Sequence, residues 1–213
     1  MGRGPVGAPA IIRYVNNSLA SVDDVSAIDD SMVLIKTLTA SSSANLSFVD
    51  GTSDVVLDNT YPIYLFKFIN IHPATDSTYF QVNFRDGDTN YDATKTTTSF
   101  RAYHFESGTS TALEYESNGD LAQGTGVQYL AQGVGNDNDQ SCSGKMFLFS
   151  PSSTTFVKHF IARTNTIHAS DRSYEWHVAG YCNVTAAIDG VQFSMSSGNI
   201  DAGTIKLYGI KDS

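Results

Sequence analysis

Residues 144–163 read GKMFLFSPSSTTFVKHFIAR, two apolar runs separated by the turn sequence SPSS. Successive side chains of a β-strand point to opposite faces, so apolar residues two positions apart share one face. Phe147 and Phe149 in the first run have compatible spacing, as do Phe156 and Phe160 in the second. We therefore expect two strands here and predict that these phenylalanines lie in the core.

The same pattern continues on either side of this stretch. Short runs rich in β-branched and aromatic residues alternate with Gly, Ser, Asn, Asp and Thr, which is typical of strands joined by turns. Val191, Phe193 and Met195 share one face of their run, and Ile205 and Leu207 share one face of the last. The predicted strands are 32–39, 44–49, 62–71, 78–84, 98–105, 112–116, 127–132, 144–150, 154–163, 173–184, 188–196 and 204–210. So many short strands predict an all-β fold, an antiparallel β-sandwich of jelly-roll-like type.

Residues 1–31 differ in composition from the rest of the chain. Glycine and proline are frequent in residues 1–12, which predicts an extended arm that cannot stabilise itself. Ser21 is placed to cap a short helix over 21–28 with two aspartates in its first turn. We expect an N-terminal attachment arm with a short helix, followed by a sandwich domain over 32–213. The arm residues predicted to make assembly contacts are Arg3, Pro5, Pro9, Ile11 and Ile12.

Composition and charge narrow the classes of partner. The chain has 213 residues, which suits one domain, and a net charge of −9. Its 13 Lys and Arg residues form no cluster along the sequence, so we expect no nucleic-acid partner. No run approaches the ~20 apolar residues that cross a bilayer, and no signal-peptide pattern opens the chain, so we expect no membrane insertion. Cys142 and Cys182 lack metal-ligand spacing and are predicted to be buried thiols.

The motifs of the common enzyme classes are absent from the sequence. It contains no nucleophile elbow, no HExxH zinc motif, no phosphate-binding loop and no dinucleotide fingerprint. We therefore expect neither enzymatic activity nor a cofactor.

One loop carries alternating oxygen ligands of the kind that bind calcium. These candidate metal ligands are Asp86, Asp88, Asn90 and Asp92. A helical calcium loop needs glycine where Tyr91 stands and a closing glutamate where Thr97 stands, so that class of site is excluded. We expect a hairpin loop between strands 78–84 and 98–105, with a calcium site of another kind as the alternative.

Several aromatic residues in predicted strands are candidates for contact with a partner. They are Tyr79, Tyr103, Tyr174 and Trp176. Tyrosine combines apolar area with a hydrogen-bonding hydroxyl, which suits both subunit interfaces and sugar-stacking surfaces. We favour a subunit interface and expect a homo-oligomer, in which closed symmetry also covers edge strands.

Three segments carry a family resemblance. They are Phe66–Asp76 (FKFINIHPATD), Leu148–His159 (LFSPSSTTFVKH) and Met195–Ile210 (MSSGNIDAGTIKLYGI). In their residues and in their order along the chain they resemble virion proteins of marine and cyanobacterial bacteriophages, a group described as tail-fibre-like or structural. The resemblance spans approximately residues 32–210 and leaves the arm outside. It implies a structural protein of the virion, assembled in the host cytoplasm, with no catalytic residues.

This resemblance favours a tail-associated appendage, either a short tail fibre or a receptor-binding-type module. By analogy we expect a homotrimer that its arm docks onto other virion proteins of the tail or capsid. One alternative is a decoration or cement protein that stabilises the head. Another is a module that binds a host surface glycan, or a depolymerase that cleaves one.

Overall fold

We describe a computed structural model of the protein, in which residues 12–15, 18–22 and 31–211 are described. These residues form strands and connecting loops, and none of them lies in a helix. The strands are β1 (Ile12–Val15), β2 (Ser18–Val22), β3 (Met32–Thr39), β4 (Asn45–Val49), β5 (Ile63–Pro73), β6 (Thr78–Arg85), β7 (Lys95–Phe105), β8 (Thr111–Tyr115), β9 (Gln128–Val134), β10 (Cys142–Phe149), β11 (Lys158–His168), β12 (Arg172–Cys182), β13 (Gly190–Met195) and β14 (Ile200–Ile210).

The chain divides into two compact units, Met1–Ser31 and Met32–Ser213. In the first unit, β1 and β2 pair antiparallel. Ile12, Ser21 and Val22, which we expected in the arm and the short helix, therefore lie in strands. The remaining helix residues and the arm residues Arg3, Pro5, Pro9 and Ile11 lie outside the described residues.

The twelve strands of the second unit all pair antiparallel in one continuous sheet, which folds into two layers that we call the larger and the smaller sheet. The larger sheet has eight strands in the order β3-β14-β5-β10-β11-β12-β7-β8, and the smaller has four in the order β9-β6-β13-β4. One pair, His168 with Val134, joins the two sheets through β11 and β9. Each of the twelve predicted strands overlaps an observed one, so the expectation of an all-β antiparallel fold is confirmed.

The core lies between the two sheets. The Phe193 ring of β13 meets the rings of Phe66 and Phe68 on β5 at centroid distances of 5.4 and 5.2 Å. Farther along the core, the Phe84 ring of β6 lies 4.9 Å from that of Phe160 on β11. Edge-on and tilted ring pairs at such distances are favoured by the charge distribution of aromatic rings. Phenylalanines from both sheets therefore hold the sandwich together.

The predicted core residues of β13 and β14 are all buried. They are Val191, Phe193, Met195, Ile205 and Leu207. The prediction for β10 is wrong, because Met146 and Leu148 point inward while Phe147 and Phe149 lie on the opposite face and are half-buried. Phe160 is buried as predicted, but Phe156 precedes β11 and is 73% exposed.

Two lysines and a cysteine form a row on the inner face of the larger sheet. Cys182 of β12 pairs with Lys158 of β11 on one side and Lys95 of β7 on the other. All three side chains are buried, and we call them the inner row. Cys142 is also buried, and both thiols are free, as expected. Burial raises the pKa of each thiol to about 12, so both are protonated at neutral pH.

Candidate interaction face

Four cations line up across the outer face of the larger sheet, the face that points away from the smaller sheet. Lys206 of β14 is the direct partner of Lys67 on β5, and Lys67 is the partner of Lys145 on β10. Lys145 in turn pairs with Arg163 of β11. We call these four residues the cationic row. Since neighbouring strands lie about 4.8 Å apart, the row spans roughly 14 Å.

Few carboxylates neutralise this row. Glu175 of β12 forms an ion pair with Arg163, and its Oε1 lies 3.4 Å from Nε2 of His177. The Arg163 guanidinium thereby lowers the pKa of the Glu175 carboxyl. Among the ion pairs of the described residues, none involves Lys67, Lys145 or Lys206. Like charges directly opposite one another destabilise a sheet, so the isolated domain gains nothing from this arrangement.

Aromatic rings support two of these lysines. The Lys67 ammonium lies 4.9 Å from the centre of the Tyr208 ring, and the Lys145 ammonium lies 5.4 Å from that of Phe147. Contacts of this kind favour a cation over a ring face by about 0.5–1 kcal/mol at exposed sites. The rings therefore hold the charged ends over the sheet surface.

An apolar row runs beside the cationic row. It consists of Leu34, Tyr208, Leu65, Phe147 and Ile161, which are cross-strand partners in that order from β3 to β11. Leu34 and Ile161 are each 51% exposed. On the other side of the cationic row lies a shallow groove, lined in part by Ile69 and Asn165. Charged and apolar surfaces thus lie side by side on one face.

The cationic row continues into aromatic residues. Arg163 pairs with His177, His177 with Phe100 of β7, and Phe100 with Tyr115 of β8. The His177 and Phe100 rings stack at 4.7 Å with an interplanar angle of 3°. Phe100 and Tyr115 are exposed large side chains. Aromatic ring surface is therefore exposed at this end of the row.

Sequence reasoning missed the cationic row because its members are far apart in the chain. Lys67, Lys145, Arg163 and Lys206 belong to four strands, and only the pairing register aligns them. Basic residues do not cluster along the sequence, yet four of them form a row in the fold. A correct strand order and register would have been the only signal.

The structure separates the aromatic residues predicted for contact with a partner. Tyr174 and Trp176 point into the core and are only 3% and 1% exposed, so the prediction is wrong for these two. Tyr103 is half-buried on the inner side, with its ring 5.4 Å from that of Tyr174. Tyr79 is half-buried on β6 of the smaller sheet and packs edge-on against Tyr129 at 5.0 Å. The predicted interface aromatics therefore form no common surface.

The predicted metal-binding loop brings three of its four residues together. Carboxylate oxygens of Asp86, Asp88 and Asp92 lie within 4.8 Å of one another. The Asn90 side chain instead donates a hydrogen bond to Asp88, with Nδ2 3.2 Å from Oδ2. The loop is not a hairpin, because β6 and β7 belong to different sheets and do not pair with each other. It crosses between the sheets at the rim of the sandwich.

Comparisons with known proteins add no relative. The chain matches no protein-family model, no curated protein and no solved structure. Within the described part of the chain, no helix has the length and apolar character needed to cross a bilayer.

Proposed function

We propose that this chain is a non-enzymatic structural protein of a bacteriophage particle. In this proposal it forms a tail-associated appendage, a short fibre or receptor-binding-type module, whose arm (residues 1–31) docks it onto another virion protein. The sandwich, which we propose to be jelly-roll-like, is the exposed module. The support comes from the phage-like segments and from the character of the outer face.

The observation that carries the proposal is the outer face of the larger sheet. In a chain with a net charge of −9 and 13 Lys and Arg residues, four cations share one row. An apolar row with half-exposed Leu34 and Ile161 lies beside it. Exposed apolar surface rimmed by polar residues is typical of protein interaction sites. A face built for contact, rather than a catalytic pocket, supports a structural role.

The phage-like segments meet on this same face. Phe66–Asp76 includes most of β5, Leu148–His159 connects β10 to β11, and Met195–Ile210 includes all of β14. These four strands are consecutive in the larger sheet. They are also the strands that carry the cationic row. Two of the four cations of the row, Lys67 and Lys206, lie within these segments.

We further propose that copies of the chain assemble through this face with cyclic symmetry, as a trimer. Two-fold pairing of outer faces would bring one cationic row close to the other, and like charges across an interface are costly. A head-to-tail contact avoids that repulsion and closes into a ring. Closure would also cover part of the exposed apolar row.

Counting copies of the protein in purified phage particles tests this function. The measurement compares its amount with that of the major capsid protein by quantitative mass spectrometry and locates it by imaging. We expect a low copy number at the tail. Hundreds of copies on the shell would instead make it a head decoration protein, and its absence from particles would refute a virion role.

Release of oligosaccharides from host polysaccharide by the purified protein would contradict the non-enzymatic part of the proposal and favour a depolymerase. Retention of the protein on intact host glycan without cleavage would support the receptor-binding form of the appendage. Neither result depends on the copy-number measurement.

A further inference from the structure

Three of the four cations of the cationic row lack an anionic partner in the part of the chain that the structure describes. Lys67, Lys145 and Lys206 have no ion pair among the described residues, and only Arg163 has one, with Glu175. A surface that combines clustered unpaired cations with apolar side chains is complementary to an acidic segment that also carries apolar side chains. Such a segment would relieve the repulsion within the row.

One segment of the chain has this chemistry. Residues 22–31 read VDDVSAIDDS, with four aspartates at positions 23, 24, 29 and 30. No Lys or Arg occurs between Arg13 and Lys36, so the segment carries four negative charges and no positive one. Val22, Val25 and Ile28 alternate with the aspartates. The segment therefore combines acidic and apolar groups, as the outer face combines cationic and apolar rows.

The segment and the row also have similar extents. The row spans roughly 14 Å at the usual strand spacing. The eight residues from Asp23 to Asp30 cover about 12 Å as a helix and up to about 26 Å when extended. The extended form is therefore long enough to reach along the whole row, whereas the helical form falls slightly short of it.

We propose that the acidic segment of one copy, residues 22–31, binds the cationic row of a neighbouring copy. The aspartates pair with Lys67, Lys145 and Lys206, and the valines and isoleucine lie against the apolar row. The inference rests on the assembly part of the proposed function and names the segment that makes the contact. It gives the arm a second role, joining copies to one another as well as to the particle.

Zero-length cross-linking of mixed isotopic copies tests the contact. Full-length protein labelled with heavy nitrogen is mixed with unlabelled protein and treated with a carbodiimide, which joins a carboxylate to an amine only when they touch. We expect cross-linked peptides that contain residues 22–31 of one isotope and Lys67, Lys145 or Lys206 of the other. Cross-links confined to one isotope, or none to these lysines, would overturn the proposal.

Charge-neutralising variants provide a second, independent experiment. The triple variant Lys67→Gln, Lys145→Gln, Lys206→Gln should weaken self-association by about tenfold or more, because screened charge pairs each contribute a fraction of a kcal/mol. The variant with all four aspartates changed to asparagine should weaken it equally. Combining both sets should add little, since they remove the same contacts. Matched controls are Lys36→Gln, off the row, and Asp139→Asn, on an exposed loop.

Unchanged association of the triple variant, in protein of unchanged thermal stability, would overturn the inference. So would a monomeric wild-type protein at low salt. These outcomes are distinct from failure of the proposed function, which the copy number in particles decides. Normal incorporation of the triple variant into particles without cross-links would refute this contact and leave the virion role standing.

Discussion

Each face of the larger sheet carries a row of residues that includes lysines, the inner row on one face and the cationic row on the other. The two rows differ in the groups that accept hydrogen bonds from the lysine ammonium groups. On the inner face, Lys158 donates to the carbonyl oxygens of Ser153 at 3.2 Å, Val184 at 2.7 Å and Ala186. Lys95 donates to the Asn83 side chain and the Ala93 carbonyl oxygen, both at 2.6 Å. On the outer face, three lysines have no ion pair among the described residues.

The two rows differ in whether the fold itself supplies hydrogen-bond acceptors for the charged groups. A buried ammonium without acceptors would cost several kcal/mol, so the fold must supply them within one chain. An exposed ammonium is solvated by water, so the fold need not supply an acceptor for it. We therefore interpret the inner row as part of the folding energetics and the cationic row as part of an interface.

The largest expected effect contrasts apolar residues on the two faces. Phe66→Ala on the inner face of β5 removes a fully buried ring and should lower the free energy of unfolding by about 3–5 kcal/mol. Ile161→Ala on the outer face of β11 should lower it by about 1 kcal/mol or less, since half of that side chain is already exposed. Chemical denaturation measures both. Equal losses would mean that the assignment of faces is wrong.

A matched pair of lysine variants tests the rows directly. Lys158→Met leaves the carbonyl oxygens of Ser153, Val184 and Ala186 without their donor and should lower the free energy of unfolding by about 1–3 kcal/mol. Lys145→Met on the outer face should change it by less than about 0.5 kcal/mol. The readout is again chemical denaturation. A large loss for Lys145→Met would show that the cationic row is structural.

The inner row also predicts a dependence of stability on pH. Burial lowers the pKa of Lys95 from 10.5 to about 8, so the folded state binds fewer protons than the unfolded state between these values. Stability must therefore rise with pH across this window. Relative to a Lys95→Met variant, the wild type should gain about 2–3 kcal/mol between pH 8 and pH 10.5, or less where local water screens the site.

Taking the difference between wild type and Lys95→Met removes the contribution of the Cys142 thiol and leaves only the part of the Cys182 contribution that depends on Lys95. The raised pKa values of the two thiols act in the opposite direction above pH 9. A difference that stays constant from pH 7 to pH 10.5 would contradict the burial of a charged Lys95.

The smallest expected effect on stability belongs to a charge reversal in the cationic row. Lys145→Glu places a carboxylate between its direct partners Arg163 and Lys67. We expect unchanged or slightly higher stability, by about 0.5 kcal/mol at most, because opposite charges replace like ones. Self-association should nevertheless weaken. Thermal unfolding and light scattering on one sample separate the two readouts, and a loss of both would point to misfolding.

Much of the fold follows from local sequence patterns, because short alternating runs bounded by turn residues specify strands. In β13, only one face is apolar, since Gln192 and Ser194 occupy the other, so the pattern gives the buried face as well. In β10, the run MFLF is apolar on both faces. There the alternation is uninformative, and the smaller Met146 and Leu148 are the buried pair.

The buried lysines and the cationic row lie beyond what such patterns reveal. Lysine in a strand ordinarily faces solvent, and the burial of Lys158 depends on carbonyl groups of residues 184 and 186, which follow a different strand. The cationic row depends on the order and register of four strands. Both features are properties of tertiary pairing, and a single sequence gives no local signal for either.

The reactivity of individual lysines in the assembled protein tests the central claim, that the outer face is an assembly interface. Brief acetylation followed by mass spectrometry compares the assembled protein at low salt with protein dissociated at high salt, where exposed charge pairs are screened. Lys67, Lys145 and Lys206 should be protected in the assembly and reactive after dissociation, while Lys95 and Lys158 stay unreactive in both states. Row lysines that react equally in both states would contradict the account.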